Sequence, residues 1–442
     1  EEGQIYKAVE SRPFASIPFK YHDFSAENDA LECTNTVYKK ALNRPFDIFG
    51  EVLWTYHLCK IEEEAYIGIL TAHHLICDFN SALTIGKEVQ YSYDRFSAGK
   101  PFSFQYDGFG DMEAIEKSTA LEDPFYDRFK DEIEQEVTGI ENLQFKDQAP
   151  MFHKRTFELN SILFEIPDPI REAVKGFVEQ QSLSELSIYL AAFQIAIHYK
   201  TKRNKFAIGV PVNTRPGKKF SSAVAYLSKP LFLPVDFEKT NSYLELLSNN
   251  VSAIKRIARK RYFPMGRLYD QAAVEKNILP RINVLFNYLD SSNISDPSCG
   301  TKISIIPQGF THSTMDLWLT VQDDQQGATV KLEQSKDIFE TSHLLEFKEQ
   351  YLEVLSELCS NSESPIRKEN QRDNLIDLQI GGSFTLDPLE NLLEGFSQTS
   401  KDKLIPEILP YQQVMQTLLD TNHEISGTPT CISLLIRLGD FF

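Results

Sequence analysis

The chain has 442 residues, 42% of them hydrophobic and 24% charged, enough for one large domain or two medium ones with real cores. No run approaches eighteen consecutive apolar residues, so no transmembrane helix is expected, no signal peptide opens the chain, and a net charge of −18 argues against nucleic acid as a partner. The six cysteines, at 33, 59, 77, 299, 359 and 431, lack CxxC spacing and read as reduced thiols of a cytoplasmic protein. Residues 1–165 carry 16 basic against 30 acidic side chains, residues 166–270 carry 17 against 8, and residues 271–442 carry 12 against 25. The basic middle predicts either a face for an anionic ligand or an ordinary solvated surface.

In chain order, residues 28–42 read as a helix, and residues 52–60 and 65–72 as a hairpin entered through the acidic turn 62–64. The stretch 65–70 (AYIGIL) has the length and side chains of a buried strand. It runs into TAHHLICDFNS, residues 71–81. Residues 82–96 follow as a helix, with Leu83, Val89, Tyr93 and Phe96 at helical spacing and Asn80 and Ser81 at the N-cap positions. Two adjacent histidines therefore stand where a strand hands over to a helix, with an aspartate four residues after the second. Successive strand residues point to opposite faces, so His73 and His74 would not share one cavity. One is then a general base, because neutral imidazole takes a proton near pH 7, and the other packs or orients. Asp78 turns back to the strand end, where an ion pair would hold the local geometry. A purely structural histidine pair is the alternative. Adjacent histidines are a poor chelate, and no second cluster with metal-ligand spacing accompanies them.

Gly99-Lys100-Pro101 ends that helix. Residues 124–144 predict a second helix with an acidic outer face, 145–154 a loop, and 157–166 a strand. Residues 187–199 (SIYLAAFQIAIHY) are apolar nearly all round, as in a buried helix. Residues 206–212 (FAIGVPV) form a strand that runs into Asn213-Thr214-Arg215. Residues 223–235, 281–289, 315–321 and 330–335 read as further strands. Residues 243–260 form a helix ending in the basic run Lys255, Arg256, Arg259, Lys260 and Arg261, and residues 344–359 form another. The polar stretch 361–373 is a linker, ahead of a separate unit that includes GGSFTL at 381–386.

These motifs carry a family resemblance. HHLICDF resembles the HHxxxDG motif of the condensation domains of non-ribosomal peptide synthetases, members of the chloramphenicol-acetyltransferase-like fold. IGVPVNTR resembles the second-lobe strand motif of that family, and residues 17–24, 44–47, 223–235, 262–265, 281–289 and 315–321 resemble its other conserved segments in order. The resemblance spans residues 15–368. The family's two earliest motifs are not found, so the sequence reads as starting inside the first lobe. Residues 381–442, with Pro410-Tyr411-Gln412, Leu418-Leu419-Asp420 and 434–437, resemble the opening of FkbH-like domains, relatives of the haloacid-dehalogenase phosphatases. The aspartate motif of such domains would lie beyond Phe442.

The implied fold is α/β (α+β), two chloramphenicol-acetyltransferase-like lobes in a V around a central tunnel. Residues 1–165 would form the N-terminal lobe, 166–360 the C-terminal lobe, 361–380 a linker and 381–442 the incomplete FkbH-like unit. The implied activity is transfer of an acyl or peptidyl thioester from a donor carrier protein to an amine or hydroxyl on an acceptor carrier protein. No cofactor would be held tightly, because both substrates ride on carrier phosphopantetheine, and no metal or membrane is implied. His74, His73 and Asp78 would be catalytic, with His74 the base or orienting group. Arg215, Asn213 and Phe79 would serve position, with an Asp78–Arg215 pair, and the basic middle would help seat the anionic arm. Phe79 replaces the motif glycine, whose dihedral freedom it would forfeit by crowding the turn. That departure leaves a non-catalytic carrier-docking module of the same fold as an alternative, and an epimerisation domain as another.

Overall fold

The computed structural model describes residues 17–101, 122–138, 140, 143–145, 154–181, 183–269, 281–292, 311–323, 327–360 and 365–366, and the backbone of three later strands. The chain divides into two units, Glu1–Ser364 and Pro365–Phe442.

The first unit opens with β1 (Phe19–Asp23), α1 (Ala30–Leu42), β2 (Trp54–Lys60) and β3 (Tyr66–Ala72). β1 lies parallel to β2, and β2 pairs antiparallel with β3 from Trp54 opposite Ala72 to Lys60 opposite Tyr66. The predicted hairpin is therefore present. Asp29 caps α1 by accepting the Glu32 N–H at 2.9 Å. α2 (Phe79–Ser97) leaves this sheet, and α3 (Glu122–Val137) follows.

The second sheet has six strands in the order β4 (Leu159–Glu165), β9 (Ala328–Ser335), β8 (Leu317–Asp323), β7 (Val284–Asp290), β5 (Lys205–Asn213) and β6 (Ser228–Asp236). α4 (Asp168–Gln181), α5 (Glu185–Thr201), α6 (Tyr243–Arg259) and α7 (Ser342–Ser360) belong to the same half. Alternation decides the sheet's two faces. Val284 and Phe286 of β7, Leu317, Leu319 and Val321 of β8, and Val330 and Leu332 of β9 are almost fully buried. Phe193 of α5 packs on Phe286, and Tyr189 on Tyr288, so the helices cover this apolar face. The other face carries Trp318, Thr320, Lys331 and Glu333. Trp318 stands opposite Glu333 and Thr320 opposite Lys331, and Lys331 pairs with Glu333 at 3.3 Å.

α5 is buried from Ser187 to His198, as its all-round apolar sequence predicts, and packs against α6 and α7. Its one internal amide, Gln194, exchanges two hydrogen bonds with Asn250 at 3.0 and 2.9 Å. Both side chains are thereby satisfied out of water. β5 meets β7 in parallel at Gly209 opposite Leu285. A Cβ on Gly209 would run into the Ile282 side chain, so this approach requires glycine.

Two expectations change, on β4 and on the linker. β4, placed by sequence at the end of the first lobe, is hydrogen-bonded along its length to β9 in the second sheet. The segment's position before residue 165 says nothing about its long-range partner. Val89, Tyr93 and Phe96 of α2 are exposed, and the buried positions of that helix are Ser81, Thr84 and Gln90. The polar anchoring at the start of α2 decides which face turns inward. Finally, the linker assigned to 361–380 contains the start of a strand, β10 (Ile376–Gly382), which lies parallel to β11 (Leu404–Leu409) and β12 (Ile432–Ile436). Its polar approach, 361–373, masks the onset of apolar residues at Leu375. The motifs at 383–386, 410–414 and 418–420 lie outside the described residues. No helix among the described residues is long and apolar enough to cross a membrane.

Candidate active site

β3 ends at Ala72, and the two histidines stand beyond it. The His73 N–H donates to the Leu53 carbonyl at 2.8 Å, and the chain then turns through 74–76, with the Ile76 N–H on the His73 carbonyl at 3.0 Å. Strand alternation therefore does not govern the two side chains. Each ring is set by a backbone group instead. The Leu75 N–H donates to His73 Nδ1 at 3.2 Å, which makes that nitrogen an acceptor and leaves the proton of the neutral ring on Nε2. His74 Nδ1 lies 2.8 Å from the Cys77 carbonyl oxygen. A carbonyl oxygen can only accept, so Nδ1 carries the hydrogen and the Nε2 lone pair of the neutral ring is left for chemistry. Phe46 meets the His73 ring edge-on at 6.2 Å. The adjacent histidines thus hold opposite tautomers, and His74 is the one whose outer nitrogen is basic.

Asp78 starts α2. The sequence places the N-cap at Asn80 or Ser81, but Asp78 has the extended backbone of a cap (φ −126°, ψ −178°), and its side chain accepts the Ser81 N–H at 2.9 Å. An aspartate caps as well as asparagine or serine, and its charge suits a helix N-terminus. Phe79 is consequently the first helical residue. It is absent from the positive-φ residues of the described chain, so the motif glycine's dihedral freedom is not needed here. The turn accommodates Phe79 with a half-buried side chain.

The same carboxylate holds two distant segments. Arg215 Nη2 donates to Asp78 Oδ1 and Nη1 to Oδ2, both at 2.8 Å. The Leu227 N–H adds a bond to Oδ2 at 3.0 Å. Both side chains are 2% exposed. Burial by itself pushes the Asp78 carboxyl up, but the Arg215 hydrogen bonds, the Ser81 and Leu227 amides and the guanidinium charge outweigh it and hold the group below the usual carboxylate range. Asn213 Oδ1 accepts the Arg215 N–H at 2.9 Å and so shapes the turn that presents the guanidinium. Arg215 also donates to the Ala223 carbonyl at 2.8 Å. The structure thus brings together Asp78, Arg215 and Asn213, with His74 four residues before Asp78 in the chain.

Two residues of this site have roles that the sequence reading does not assign: Ser81, read there only as an N-cap candidate, and Tyr226. Ser81 is fully buried. Its hydroxyl accepts from the Ala225 N–H at 3.0 Å and from Arg215 Nη2 at 3.1 Å, and its one proton faces both Asp78 Oδ1 at 2.8 Å and the Ala225 carbonyl at 2.9 Å. A serine three residues after a capping aspartate was the available signal. Tyr226 lies edge-on to the His74 ring, with centroids 4.7 Å apart and planes at 61°. No sequence signal marks it, because 223–227 reads as part of a strand, whereas β6 begins at Ser228.

Part of the basic middle meets acidic side chains of α3. Lys260, buried, reaches Glu136 at 2.7 Å and Glu132 at 3.0 Å. Arg256 pairs with Glu136 at 3.5 Å and Arg259 with Glu132 at 3.6 Å. Lys260 is matched within the acidic face of α3, while Lys255, Arg256 and Arg259 stay exposed; sequence counts by segment cannot see such pairs meet. Among the described residues no group of three or more His, Cys, Asp or Glu side chains could hold a metal ion.

Comparison with known proteins bears on the family and the fold. A family model for the condensation domain matches residues 1–375. The polyketide synthase PksN of Bacillus subtilis (strain 168) is 20% identical over 420 residues, 90% of this chain and 7% of that protein. Surfactin synthase subunit 1 of the same organism is 20% identical over 373 residues, covering 81% of this chain and 10% of that protein. The chain therefore spans a small part of these relatives. Among solved structures, the first condensation domain of the calcium-dependent antibiotic synthetase, in complex with a substrate analogue, superposes with a TM-score of 0.63 at 15% identity, covering 79% of this chain and 76% of that one. A variant of the starter condensation domain of rhizomide synthetase, in complex with C8-CoA, gives a TM-score of 0.63 at 13% identity, covering 79% of each chain. At these identities the superpositions show a shared mixed α/β fold.

Proposed function

This chain belongs to the condensation-domain family, and from that membership and the geometry at His74 we propose that it joins two carrier-bound substrates with His74 as the proton-transferring group. It is a condensation domain of the non-ribosomal peptide synthetase type, an acyltransferase; condensation domains of synthetases catalyse amide-bond formation and act with substrates borne on the phosphopantetheine of carrier proteins.

In the proposed reaction a donor carrier brings an acyl or peptidyl thioester and an acceptor carrier brings an amine. The amine nitrogen attacks the thioester carbon as His74 Nε2 takes its proton. The tetrahedral intermediate collapses with cleavage of the C–S bond, and the imidazolium returns the proton to the departing thiolate. Atoms balance as one amide formed and one thiol released. The observation that carries this reading is the His74 Nδ1–H bond to the Cys77 carbonyl, which leaves the other ring nitrogen as the base. His73, in the opposite tautomer, serves orientation of the turn. Asp78, Arg215 and Asn213 hold the start of α2 and do not meet substrate in this scheme. Phe79 at the first position of α2 supports an active domain over a docking module, because the turn needs no glycine.

We read the chain as cytoplasmic, supported by free thiols at Cys33, Cys59, Cys77 and Cys359. For Pro365–Phe442 we propose the opening of an FkbH-like domain. Its support is the GGSFTL stretch and an all-parallel sheet in the order β11–β10–β12, the arrangement of α/β units whose strands are joined by crossovers.

The test is transfer from an octanoyl-loaded donor carrier to a panel of aminoacyl-loaded acceptor carriers, followed by intact-protein mass spectrometry. Product that forms with the native chain and falls by about 10²–10⁴-fold in His74→Ala supports the assignment. Equal product from both would remove His74 from the chemistry. Carrier binding without transfer across the panel and across several acyl donors would favour the docking module.

A further inference from the structure

Tyr226 is far from His74 in the sequence, yet the two rings are in contact. The reason lies in the backbone of 223–227. Ala223, Ala225 and Leu227 are buried, whereas Val224 is 46% and Tyr226 37% exposed, the alternation of an extended segment. Four backbone groups on this segment are held by the Asp78–Ser81–Arg215 cluster. The Ala223 carbonyl accepts from Arg215, the Ala225 N–H and carbonyl both meet the Ser81 hydroxyl, and the Leu227 N–H donates to Asp78. With the side chains of 223, 225 and 227 directed inward, the side chain of Tyr226 emerges on the opposite side, where His74 stands. The cluster therefore fixes two things at once. It fixes the start of α2, four residues beyond His74, and it fixes the strip that carries Tyr226.

We propose that Tyr226 is a positioning residue for His74, holding the imidazole edge-on so that Nε2 stays directed at the reacting centre, and that Asp78, Ser81 and Arg215 act on the reaction through it. This rests on the reading of His74 as the proton-transferring group. The Cys77 carbonyl fixes one nitrogen of His74 but leaves the ring free to rock about that bond. An aromatic ring at 4.7 Å removes that freedom, because edge-to-face pairs favour a narrow range of geometry. Tyr226 itself transfers no proton in this scheme.

The experiment uses the full chain with octanoyl-loaded donor carrier and an aminoacyl-loaded acceptor that supports transfer, in three variants: Tyr226→Leu, Tyr226→Phe and His74→Ala. Kinetics are measured with the acceptor concentration varied, so that kcat and KM are separated. Tyr226→Leu is expected to lower kcat about tenfold, short of the ~10²–10⁴-fold loss in His74→Ala, with KM for the acceptor changed less than twofold. Tyr226→Phe, which keeps the ring and lacks the hydroxyl, should recover most of the rate. Melting temperatures of all three identify any loss due to unfolding. If Tyr226→Leu melts with the native chain and keeps its kcat while His74→Ala is inactive, the positioning role is wrong and the assignment of His74 survives. A Tyr226→Phe variant as impaired as Tyr226→Leu would also overturn the proposal, because the hydroxyl would then be the active feature. If His74→Ala retains transfer, both readings fall together.

Discussion

Replacing Arg215 by methionine would leave a carboxylate at the base of the site with its counter-ion gone. The Asp78 and Arg215 side chains are 2% exposed and joined by two 2.8 Å bonds. Removing one member of such a pair costs about 3–5 kcal/mol, because the remaining charge is buried and unpaired. The Ala223 carbonyl also loses its guanidinium donor. Over the unit Glu1–Ser364, unfolding entropy at ~2.1 cal/mol/K per residue amounts to ~0.76 kcal/mol/K. The melting temperature should therefore fall by ~4–7 °C. Combining Asp78→Asn with Arg215→Met removes both charges, so the double variant should be less destabilised than the sum of the singles by more than ~1 kcal/mol. Acid provides the second arm of the assay. The folded Asp78 carboxyl is held below its unfolded value, so its contribution is present above ~3.9 and is lost as pH falls through the folded value. Native and Arg215→Met melting temperatures should converge as pH drops below ~3.9. Additivity within ~0.5 kcal/mol, or a gap that persists into acid, would refute the claim that this pair holds the site.

Two further outcomes are expected. Ser81→Ala strips the Ala225 N–H of its acceptor in a fully buried place, and should cost ~1–3 kcal/mol by chemical denaturation; a change below ~0.5 kcal/mol would show that the hydroxyl is dispensable. Glu185, at the start of α5, is pushed up to about 7 by burial and by the neighbouring Asp323 carboxylate, which itself accepts the Tyr288 hydroxyl at 2.7 Å. Its protonated form is the one the fold favours, so that contribution is complete below ~4.3 and is lost as pH rises through about 7. Glu185→Gln should narrow the difference in melting temperature between pH 5 and pH 8, and an unchanged difference would mean that Glu185 is ionised at little cost.

The sequence makes plain whatever rests on local pattern. The hairpin before the histidines, the all-apolar α5 and the strand ending at Asn213 are each set by a run of side chains within a dozen residues, and each is present. The pairing of Asp78 with Arg215 came from motif resemblance, since nothing local to either residue names the other. What stayed hidden depends on where distant segments meet. β4 joins the second sheet through β9, far along the chain. Lys260 looks available until α3 supplies Glu132 and Glu136. Val89, Tyr93 and Phe96 form a regular stripe, yet the anchoring of Ser81 turns the other side of α2 inward. Tyr226 is the clearest case: its place depends on backbone bonds that Ala225 and Leu227 make with Ser81 and Asp78, more than a hundred positions earlier.

The bonds between Asp78 and Arg215 join positions 137 residues apart in sequence, and those from Ser81 to Ala225 join positions 144 apart. Contacts of such separation require a large loop to close before they are gained, and they form late in folding. A chain emerging from the ribosome would have its two histidines in hand long before Arg215 and 223–227 exist to brace them. A half-synthesised copy would therefore lack the braced site and have little means of discharging a loaded carrier. Competence would arrive as a step, once the second half has folded onto the start of α2.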